Sequence, residues 1–314
     1  MNCNPRIVIA LGGNALQSKD SEPTAEAQLE VVRHTCERIA DISCAGYEMA
    51  VVHGNGPQVG RIVLASETAK DVVPPMPFDV CGAMSQGYIG YHIQQCLHYA
   101  LAKRNRNVPV VTLATQMVVE QSDPAFQNPT KPIGAFYSQE EARRLEQEKG
   151  YAMREDAGRG WRRVVASPRP RRVVELDTIR TLADAGQIVI ACGGGGIPVL
   201  PDGNHLRGAG AVVDKDFTAE LLAEELGADC LMILTAVEKV AVHFGKPNQR
   251  WLTHMTVPVA EKYIAEGQFA PGSMLPKVEA AVAFAKSSPG RQTLITQLEK
   301  ALDGMRGQTG TIIG

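Results

Sequence analysis

The stretch RIVIALGGN, residues 6–14, decides the fold expected for this chain. Arg6 to Leu11 is an apolar run with one charged residue at its start, which is typical of a β-strand buried on both faces. Gly12-Gly13-Asn14 follows the run directly. The next apolar residues recur at helical spacing: Leu29, Val32, Cys36 and Ile39. This order of strand, glycine loop and helix is the repeating unit of a sheet covered by helices.

The same unit recurs along the chain. Further apolar runs of strand length lie at 49–52, 108–114, 188–192 and 231–234, and glycine-rich loops follow at 54–56 and 193–196. Strands that alternate with helices predict an α/β fold with a mostly parallel sheet. Ligands bind beyond the carboxyl ends of such strands, so we expect the three glycine loops to meet at one site. A tight turn that needs positive φ explains any single loop equally well, but three loops favour a ligand site.

The composition excludes several classes of protein. The 314 residues are 44% hydrophobic, and 32 basic residues face 34 acidic ones, which gives no overall attraction to nucleic acid or to an anionic membrane. No apolar run approaches the roughly 20 residues of a membrane-spanning helix, and no signal peptide is expected. Seven cysteines, from Cys3 to Cys230, form no Cys-x-x-Cys pair and predict reduced thiols. We therefore expect a soluble cytoplasmic protein.

The strand–helix pattern lapses between residues 115 and 170. A short helix is expected at Gln139–Lys149, and the alternation at 162–165 favours a small β subdomain over a disordered segment. The segment also holds a basic run with Trp161 inside it: Arg159, Arg162, Arg163, Arg169, Arg171 and Arg172. Nucleic-acid binding is one interpretation of this run, but a solvated charged face agrees better with the net charge of −2.

Common catalytic motifs are missing from the sequence. There is no Gly-x-x-x-x-Gly-Lys-Ser/Thr loop, and the glycines at 54, 56 and 60 do not have the spacing of a dinucleotide fingerprint. His92 and His98 are too far apart for a helical zinc pair. The sequence therefore does not indicate an ordinary dehydrogenase, P-loop enzyme or zinc enzyme.

Two lysines stand at predicted helix starts, where a cation is unfavourable. Lys215 follows Asp214 and precedes Asp216, and the apolar face of that helix is expected at Phe217, Leu221, Leu222 and Leu226, with a stop at Gly227. Lys277 follows a first-turn proline, Pro276. Each lysine destabilises its helix by about 0.3–1 kcal/mol unless an anion neutralises it. Phosphate is an anion that binds well at a helix N-terminus. A surface lysine that pairs with its neighbours is the simpler alternative for either one alone.

Both lysines together with the glycine loops predict a phosphate site with two positive clamps. Phosphoryl transfer fits this arrangement, because its transition state spreads negative charge over the transferred oxygens. An acceptor that is already an anion needs no general base. The sequence therefore indicates an enzyme that moves a phosphoryl group between ATP and a small anionic acceptor.

Taken in order, the motifs of this chain resemble those of the carbamate kinase family, in the amino acid kinase superfamily. The matching stretches are ALGGNAL at 10–16, HGNGPQVG at 53–60, AMSQGYIG at 83–90, PTKPIG at 129–134, ACGGGGIP at 191–198, DKDF at 214–217, FGKP at 244–247 and GSMLPK at 272–277. The resemblance covers essentially the whole chain. The glycine loops are generic, but their combination with PTKP and MLPK is specific.

The resemblance implies a fold, a reaction and partners. It implies an open αβα sandwich, with an acceptor lobe at 1–197 that includes a protruding subdomain at about 116–170, and a nucleotide-binding lobe at 198–314. The implied reaction is reversible: ATP and carbamate give ADP and carbamoyl phosphate, with Mg²⁺. It would serve ATP synthesis in arginine, agmatine or purine catabolism. A homodimer is also implied.

The resemblance also assigns roles to residues. The acceptor would be held by Gly12, Gly13, Asn14, Gly54, Asn55 and Gly56. The catalytic residues would be Lys131 from the subdomain, Lys215, Lys277, and Asp216, which orients the lysines. The nucleotide would contact Asp214, Thr235, Ala236, Val237, Phe244, Met274 and Lys277. Mg²⁺ would be held mainly by phosphates and water, so no protein metal ligand is expected.

Four positions depart from the family pattern. Glu238 stands where Asp is usual, Phe244 where Tyr is common, Ala135 where Pro is frequent, and Gly210 where Glu is common. Gly210 is the least conservative change, because it removes a carboxylate near Asp214. Two alternatives therefore stay open: a kinase of the same superfamily with a different small acid as acceptor, and a non-catalytic nucleotide sensor.

Overall fold

The computed structural model describes residues 5–17, 22, 24–156, 158 and 160–314; Cys3 and Arg159 lie outside the described residues. The helices are α1 (Ala25–Cys44), α2 (Gly56–Thr68), α3 (Phe78–Ala102), α4 (Gln139–Lys149), α5 (Leu176–Asp184), α6 (Lys215–Glu225), α7 (Val257–Ala265), α8 (Met274–Ser287) and α9 (Ala301–Met305).

The strands are β1 (Arg6–Leu11), β2 (Glu48–His53), β3 (Val110–Thr112), β4 (Gln116–Val118), β5 (Lys131–Tyr137), β6 (Met153–Glu155), β7 (Trp161–Val165), β8 (Arg172–Val173), β9 (Ile188–Ile190), β10 (Ile197–Asp202), β11 (His205–Gly208), β12 (Cys230–Thr235), β13 (Val240–Val242), β14 (Arg250–Leu252), β15 (His254–Met255), β16 (Gln292–Gln297) and β17 (Thr311–Ile313). The strand predicted at Arg6 to Leu11 is confirmed, whereas the one predicted at 108–114 is confined to β3.

The central sheet has eight strands in the order β15-β17-β16-β12-β1-β2-β9-β3. Every neighbouring pair is parallel except β16 and β17, which confirms the mostly parallel sheet. β1 lies between β2 and β12, so the chain order reverses at β1. In open α/β sheets a crevice for ligands forms at such a reversal.

Helices cover both faces of the sheet. Ile7, Ile9 and Leu11 of β1 pack with α1 and α3, whereas Val8 and Ala10 pack with α5, α6 and α8. Successive side chains of a strand point to opposite faces, so both faces of β1 are buried in apolar layers. The three layers confirm the αβα sandwich.

A small antiparallel unit at 131–165 stands apart from the central sheet. Its strands pair in the order β5-β7-β6, and α4 packs on them. The helix expected at Gln139–Lys149 is confirmed: Ser138 and Glu141 form a capping box at its start, and Gly150 ends it with φ 66°. β4 pairs instead with β10 in a second, four-stranded sheet. The division into two lobes and the limits of the subdomain stay predictions.

Four arginines of the basic run pair with carboxylates, whereas Arg172 is simply exposed. Arg162 pairs with Asp156, Arg163 with Glu67, Arg169 with Glu279 and Arg171 with Glu120. These ion pairs favour the interpretation of a charged face over that of a nucleic-acid site. Within the described part of the chain, no helix is long and apolar enough to cross a membrane.

Candidate active site

The loops that follow β1, β2 and β12 touch one another. The Gly54 N–H donates to the Leu11 carbonyl oxygen at 3.3 Å. A methyl group on Gly12 would lie 2.7 Å from the Leu234 carbonyl oxygen, at the end of β12. The carboxyl ends of these strands therefore form one continuous edge.

The glycine loop after β9 packs tightly against the same edge. A methyl group on Gly193 would lie 2.3 Å from His53 Nε2, and one on Gly194 would lie 2.3 Å from Asn55 Nδ2. Each distance is far below van der Waals contact, so glycine is required at both positions. The predicted convergence of the three glycine loops is confirmed.

Helix α3 clamps these loops from behind. Asn55 Nδ2 donates to Ser85 Oγ at 2.8 Å, and Gln86 Nε2 donates to the Gly193 carbonyl oxygen at 2.9 Å. Gln86 Oε1 also accepts from the Thr115 N–H at 2.7 Å, and both α3 residues are buried. Neither Ser85 nor Gln86 was predicted to have a role at the site. The signal in the sequence for such a role is that two polar residues occupy buried positions of an apolar helix.

The four predicted catalytic residues meet in one cluster with Asp214. Asp216 binds two lysines: Lys215 Nζ lies 2.6 Å from Oδ1, and Lys277 Nζ lies 2.8 Å from Oδ2. Lys131, from β5, reaches Asp214 Oδ2 at 2.5 Å. Three ammonium groups thus surround two carboxylates, which leaves an excess of positive charge.

The start of α6 explains how Asp214 and Asp216 are held. Asp214 caps the helix, since its carboxylate accepts from the Asp216 N–H at 2.9 Å. Thr218 Oγ1 donates to the Gly195 carbonyl oxygen at 3.0 Å and ties the first turn to the loop after β9. The Lys215 stem runs beside Gly54, where an added methyl would lie 3.4 Å from its Cδ atom. The first turn of α6 is therefore joined to two glycine loops.

The predicted apolar face of α6 is confirmed. Leu222 and Leu226 are buried, and Phe217 and Leu221 are half-buried and pack against the same core. Ala219 and Ala223, one turn apart on the helix, are also fully buried, and their small side chains let α6 pack closely on the sheet. Gly227 follows the helix with φ 62°, as the predicted stop requires.

The second helix start also agrees with the sequence. α8 begins at Met274, Pro276 lies in its first turn, and Lys277 follows as the fourth residue. The expectation that an external anion offsets both lysines stays a prediction. Asp216 supplies one internal counter-charge to Lys215 and Lys277 together.

Burial and charge shift the pKa values of the cluster in different directions. Burial acts to raise the pKa of Asp216, but Lys215 and Lys277 hold it well below its ordinary value. The pKa of Asp214 is likewise lowered, because Lys131 outweighs burial. Burial lowers the pKa of Lys215 despite Asp216, whereas attraction to Asp216 outweighs burial and raises the pKa of Lys277. Both aspartates are therefore ionised at neutral pH.

His53 is a fully buried histidine at the end of β2, next to the glycine loop at 54–56. Its Nδ1 lies 2.9 Å from the Gly54 carbonyl oxygen. Burial lowers its pKa to about 4, so the ring is neutral at pH 7. A neutral ring donates from Nδ1 to Gly54 and presents an unprotonated Nε2 to Gly193.

The predicted acceptor residues lie on the β1–β2 side of the cluster. Asn55 is buried, Gly12, Gly54 and Gly56 are half-buried, and the nearby Gly13 and Asn14 are exposed. Backbone N–H groups in such loops bind anions. The geometry is consistent with the predicted acceptor role, which stays a prediction.

Four of the predicted nucleotide residues lie at the end of β12 or at the start of α8, and Asp214 and Lys277 belong to the lysine cluster. Thr235 ends β12, Ala236 and Val237 follow it, and Met274 opens α8. Glu238, one of the departures, accepts a hydrogen bond from Thr309.

Phe244 lies in the connection between β13 and β14. It is 66% exposed and meets Trp251 edge to face, with ring centroids 6.3 Å apart. Trp251 is not among the residues predicted from the sequence. Two exposed aromatic rings form a surface on which a base can stack.

Comparison with known proteins gives full-length matches. The model of the amino acid kinase family matches residues 5–296. Carbamate kinase from Clostridium perfringens is 54% identical over 98% of this chain and 99% of its own length. The carbamate kinase-like protein YqeA from Escherichia coli is also 54% identical, over 98% of each chain.

Solved structures agree with this result. Carbamate kinase from Giardia lamblia bound to citric acid is 42% identical, with a TM-score of 0.95 over 100% of this chain and 99% of that chain. The same enzyme bound to AMP-PNP superimposes with a TM-score of 0.91 over the same shares. The likeness therefore extends through both sides of the lysine cluster.

Proposed function

Because this chain belongs to the amino acid kinase family and its full-length relatives are named carbamate kinase or carbamate kinase-like, we propose that it transfers a phosphoryl group between ATP and carbamate. The reaction is reversible and gives ADP and carbamoyl phosphate. The observation that carries the proposal is the cluster of Lys131, Lys215 and Lys277 around two aspartates, where the glycine loops meet.

The acceptor side needs to bind and orient a small anion. We place carbamate against the loops at 12–14 and 54–56, whose backbone N–H groups suit a carboxylate. The carbamate oxygen already carries negative charge, so no side chain has to remove a proton from it. Ser85 and Gln86 would hold these loops in place through their hydrogen bonds to Asn55 and Gly193.

The lysines would stabilise the phosphoryl group in transit. Lys215 and Lys277 share Asp216, which holds both ammonium groups at one point before substrate binds. Preorganised donors of this kind stabilise developing charge without reorganisation at the moment of reaction. Lys131 would approach the transferred group from the subdomain side.

The nucleotide would lie on the β12 side, against Thr235, Ala236, Val237, Phe244 and Met274. Its phosphates would reach Lys277, close to Asp214. The Giardia relative bound to AMP-PNP supports a nucleoside triphosphate as a substrate.

Mg²⁺ would accompany the nucleotide. Among the residues that the structure describes, no three His, Cys, Asp or Glu side chains are grouped to hold a metal ion, and Asp214 and Asp216 already pair with lysines. These residues suit an ion held by phosphate oxygens and water, as Mg²⁺ often is. When bound, it would neutralise charge on the phosphates.

We also propose that the enzyme works in the cytoplasm and makes ATP from carbamoyl phosphate. The source of that compound would be arginine, agmatine or purine catabolism. The cysteines within the described residues are free thiols, which suits a reducing compartment.

A second copy of the chain would cover helix α3. Val80, Met84 and Tyr91 lie on one face at helical spacing and are 38%, 48% and 58% exposed. Tyr99, about two turns further on, is also exposed. Large apolar side chains in a continuous row are typical of an interface, which supports the proposed homodimer.

The decisive experiment is ATP formation from ADP and carbamoyl phosphate by the purified protein, with and without Mg²⁺. We expect ATP that depends on both enzyme and Mg²⁺. A folded protein that binds ADP but makes no ATP would exclude carbamate kinase activity. Assays with other acyl phosphates would then distinguish a kinase with a different acceptor from a nucleotide sensor. Gly210→Glu and Glu238→Asp, which restore the usual family residues, would be the first substitutions to test.

A further inference from the structure

The unit that carries Lys131 is docked along helix α2. The helix begins at Gly56, directly after the acceptor loop, and β5 begins at Lys131. A methyl group on Gly56 would lie 3.4 Å from the Pro132 carbonyl oxygen, and one on Gly60 would lie 2.1 Å from Gly134 Cα. Four residues of helix and two residues of strand both advance about 6 Å. The helix and the strand therefore run side by side over this contact.

Two glycines make this close approach possible. Gly60 has no Cβ, and Gly134 has φ 71°, a conformation that other residues adopt with strain. The pairing of β5 with β7 is irregular between Ile133 and Tyr137, at the same place. Arg162 Nη2 donates to the Gly134 carbonyl oxygen at 2.9 Å and holds the turned backbone. Because Lys131 lies three residues before Gly134, the course of β5 against α2 determines where Lys131 points.

A single carboxylate anchors the other end of the contact. Glu67, in the last turn of α2, accepts a hydrogen bond from the Tyr151 hydroxyl. It also pairs with Arg163 Nη1 at 3.2 Å, from β7, and with Lys149 Nζ at 3.5 Å, from α4. The Arg163 guanidinium lies 3.8 Å from the centroid of the Tyr151 ring. Glu67 therefore joins α2 to two elements of the 131–165 unit.

We propose that Glu67 and the contact between Gly60 and Gly134 are positioning elements for phosphoryl transfer: they dock the 131–165 unit on α2 and so place Lys131 at Asp214. The proposal rests on the proposed function, because it treats Lys131 as part of the transfer site. Neither Glu67 nor the two glycines would touch the reacting atoms; they would act through Lys131.

The test is a double-mutant cycle on turnover. Lys131→Ala alone should lower kcat and leave the affinity for ADP nearly unchanged. Gly60→Ala should lower kcat by about a hundredfold, since a displacement of about 1 Å near the chemistry can cost that much. Glu67→Gln should lower it by roughly fivefold, as expected for a partly exposed ion pair. Matched controls are Gly82→Ala, a helical glycine with open space around its Cβ, and Glu146→Gln, an exposed glutamate of α4; both should keep wild-type kcat.

Non-additivity is the result that identifies positioning. If Gly60→Ala and Glu67→Gln act through Lys131, neither should lower kcat further in a Lys131→Ala background. Effects that multiply in that background, or a wild-type kcat for both variants, would overturn the proposal. If Gly60→Ala fails to fold, the Glu67→Gln cycle decides alone.

A readout besides activity separates this inference from the proposed function. Hydrogen exchange of residues 131–165 should rise in Glu67→Gln and Gly60→Ala, with no change in ADP affinity by calorimetry. A wild-type protein that makes no ATP would contradict the proposed function, and the exchange data would still decide whether the unit is docked through Glu67. Unchanged exchange in both variants would overturn the docking itself.

Discussion

Lys215 and Lys277 are the residues whose side chains combine burial, positive charge and a shared counter-ion. Replacing either with alanine leaves Asp216 with one partner and removes one preorganised donor. We expect kcat for ATP formation to fall by roughly 10²–10³ in Lys215→Ala and in Lys277→Ala. Exposed Lys262→Ala is the control and should keep wild-type turnover. Folded variants of near-normal turnover would show that the two lysines do not bind the transferred group.

The burial of His53 should make the stability of the protein depend on pH. Its folded pKa is about 4, below the ordinary value near 6.5, so the unfolded chain binds more protons between these values. Stability is therefore full above pH 6.5 and is lost as pH falls towards 4. From pH 7 to pH 5 this single group should remove about 2 kcal/mol of the free energy of unfolding.

Urea unfolding of the wild type and of His53→Gln checks this value. Between pH 7 and pH 5, the free energy of unfolding should fall by about 2 kcal/mol less in the variant than in the wild type. The exposed His205→Gln should keep the wild-type dependence. Equal pH dependence in His53→Gln and the wild type would mean that the buried ring does not titrate as inferred.

At the scale of elements, the loop after β9 connects the sheet to helix α6. Gly195 has φ 90°, and a methyl there would lie 2.1 Å from the Val213 carbonyl oxygen. Gly195→Ala should therefore lower the free energy of unfolding by more than about 3 kcal/mol. It should also abolish turnover, because Thr218 in the first turn of α6 is hydrogen-bonded to this loop.

Gly203→Ala isolates the backbone strain. Gly203 has φ 57° in the turn between β10 and β11, and no atom lies near the position of an added Cβ. The free energy of unfolding should therefore fall by about 1 kcal/mol, and turnover should not change. Denaturant titration and ATP formation measure both quantities. Similar losses of stability in the two variants would show that the contact with Val213 adds nothing.

At the scale of the whole molecule, the exposed face of α3 is the proposed dimer interface. Tyr91→Glu places a charge in the proposed interface and should convert a dimer into a monomer by light scattering after size exclusion. Val259→Glu, at an exposed apolar position of α7, should leave the dimer intact. A wild-type protein that is monomeric at micromolar concentration would contradict the homodimer.

Much of the fold could be read from the sequence because its signals are local. The strand at Arg6 to Leu11, the helix at Gln139–Lys149 and the lysines at two helix starts follow from periodicity, caps and turn residues within a few positions of one another. The carboxyl ends of parallel strands share one edge, so the meeting of the glycine loops also followed. The motifs in their order were enough to indicate the kinase family.

The tertiary structure alone decided which side chains meet. Lys277 reaches Asp216 across 61 residues of sequence, Lys131 reaches Asp214 across 83, and Gly60 meets Gly134 only because α2 and β5 pack together. The roles of Ser85, Gln86 and Glu67 likewise depend on partners from distant segments. Periodicity and turn chemistry act between neighbours in the chain, whereas these contacts depend on how whole elements pack, so no local pattern contains them.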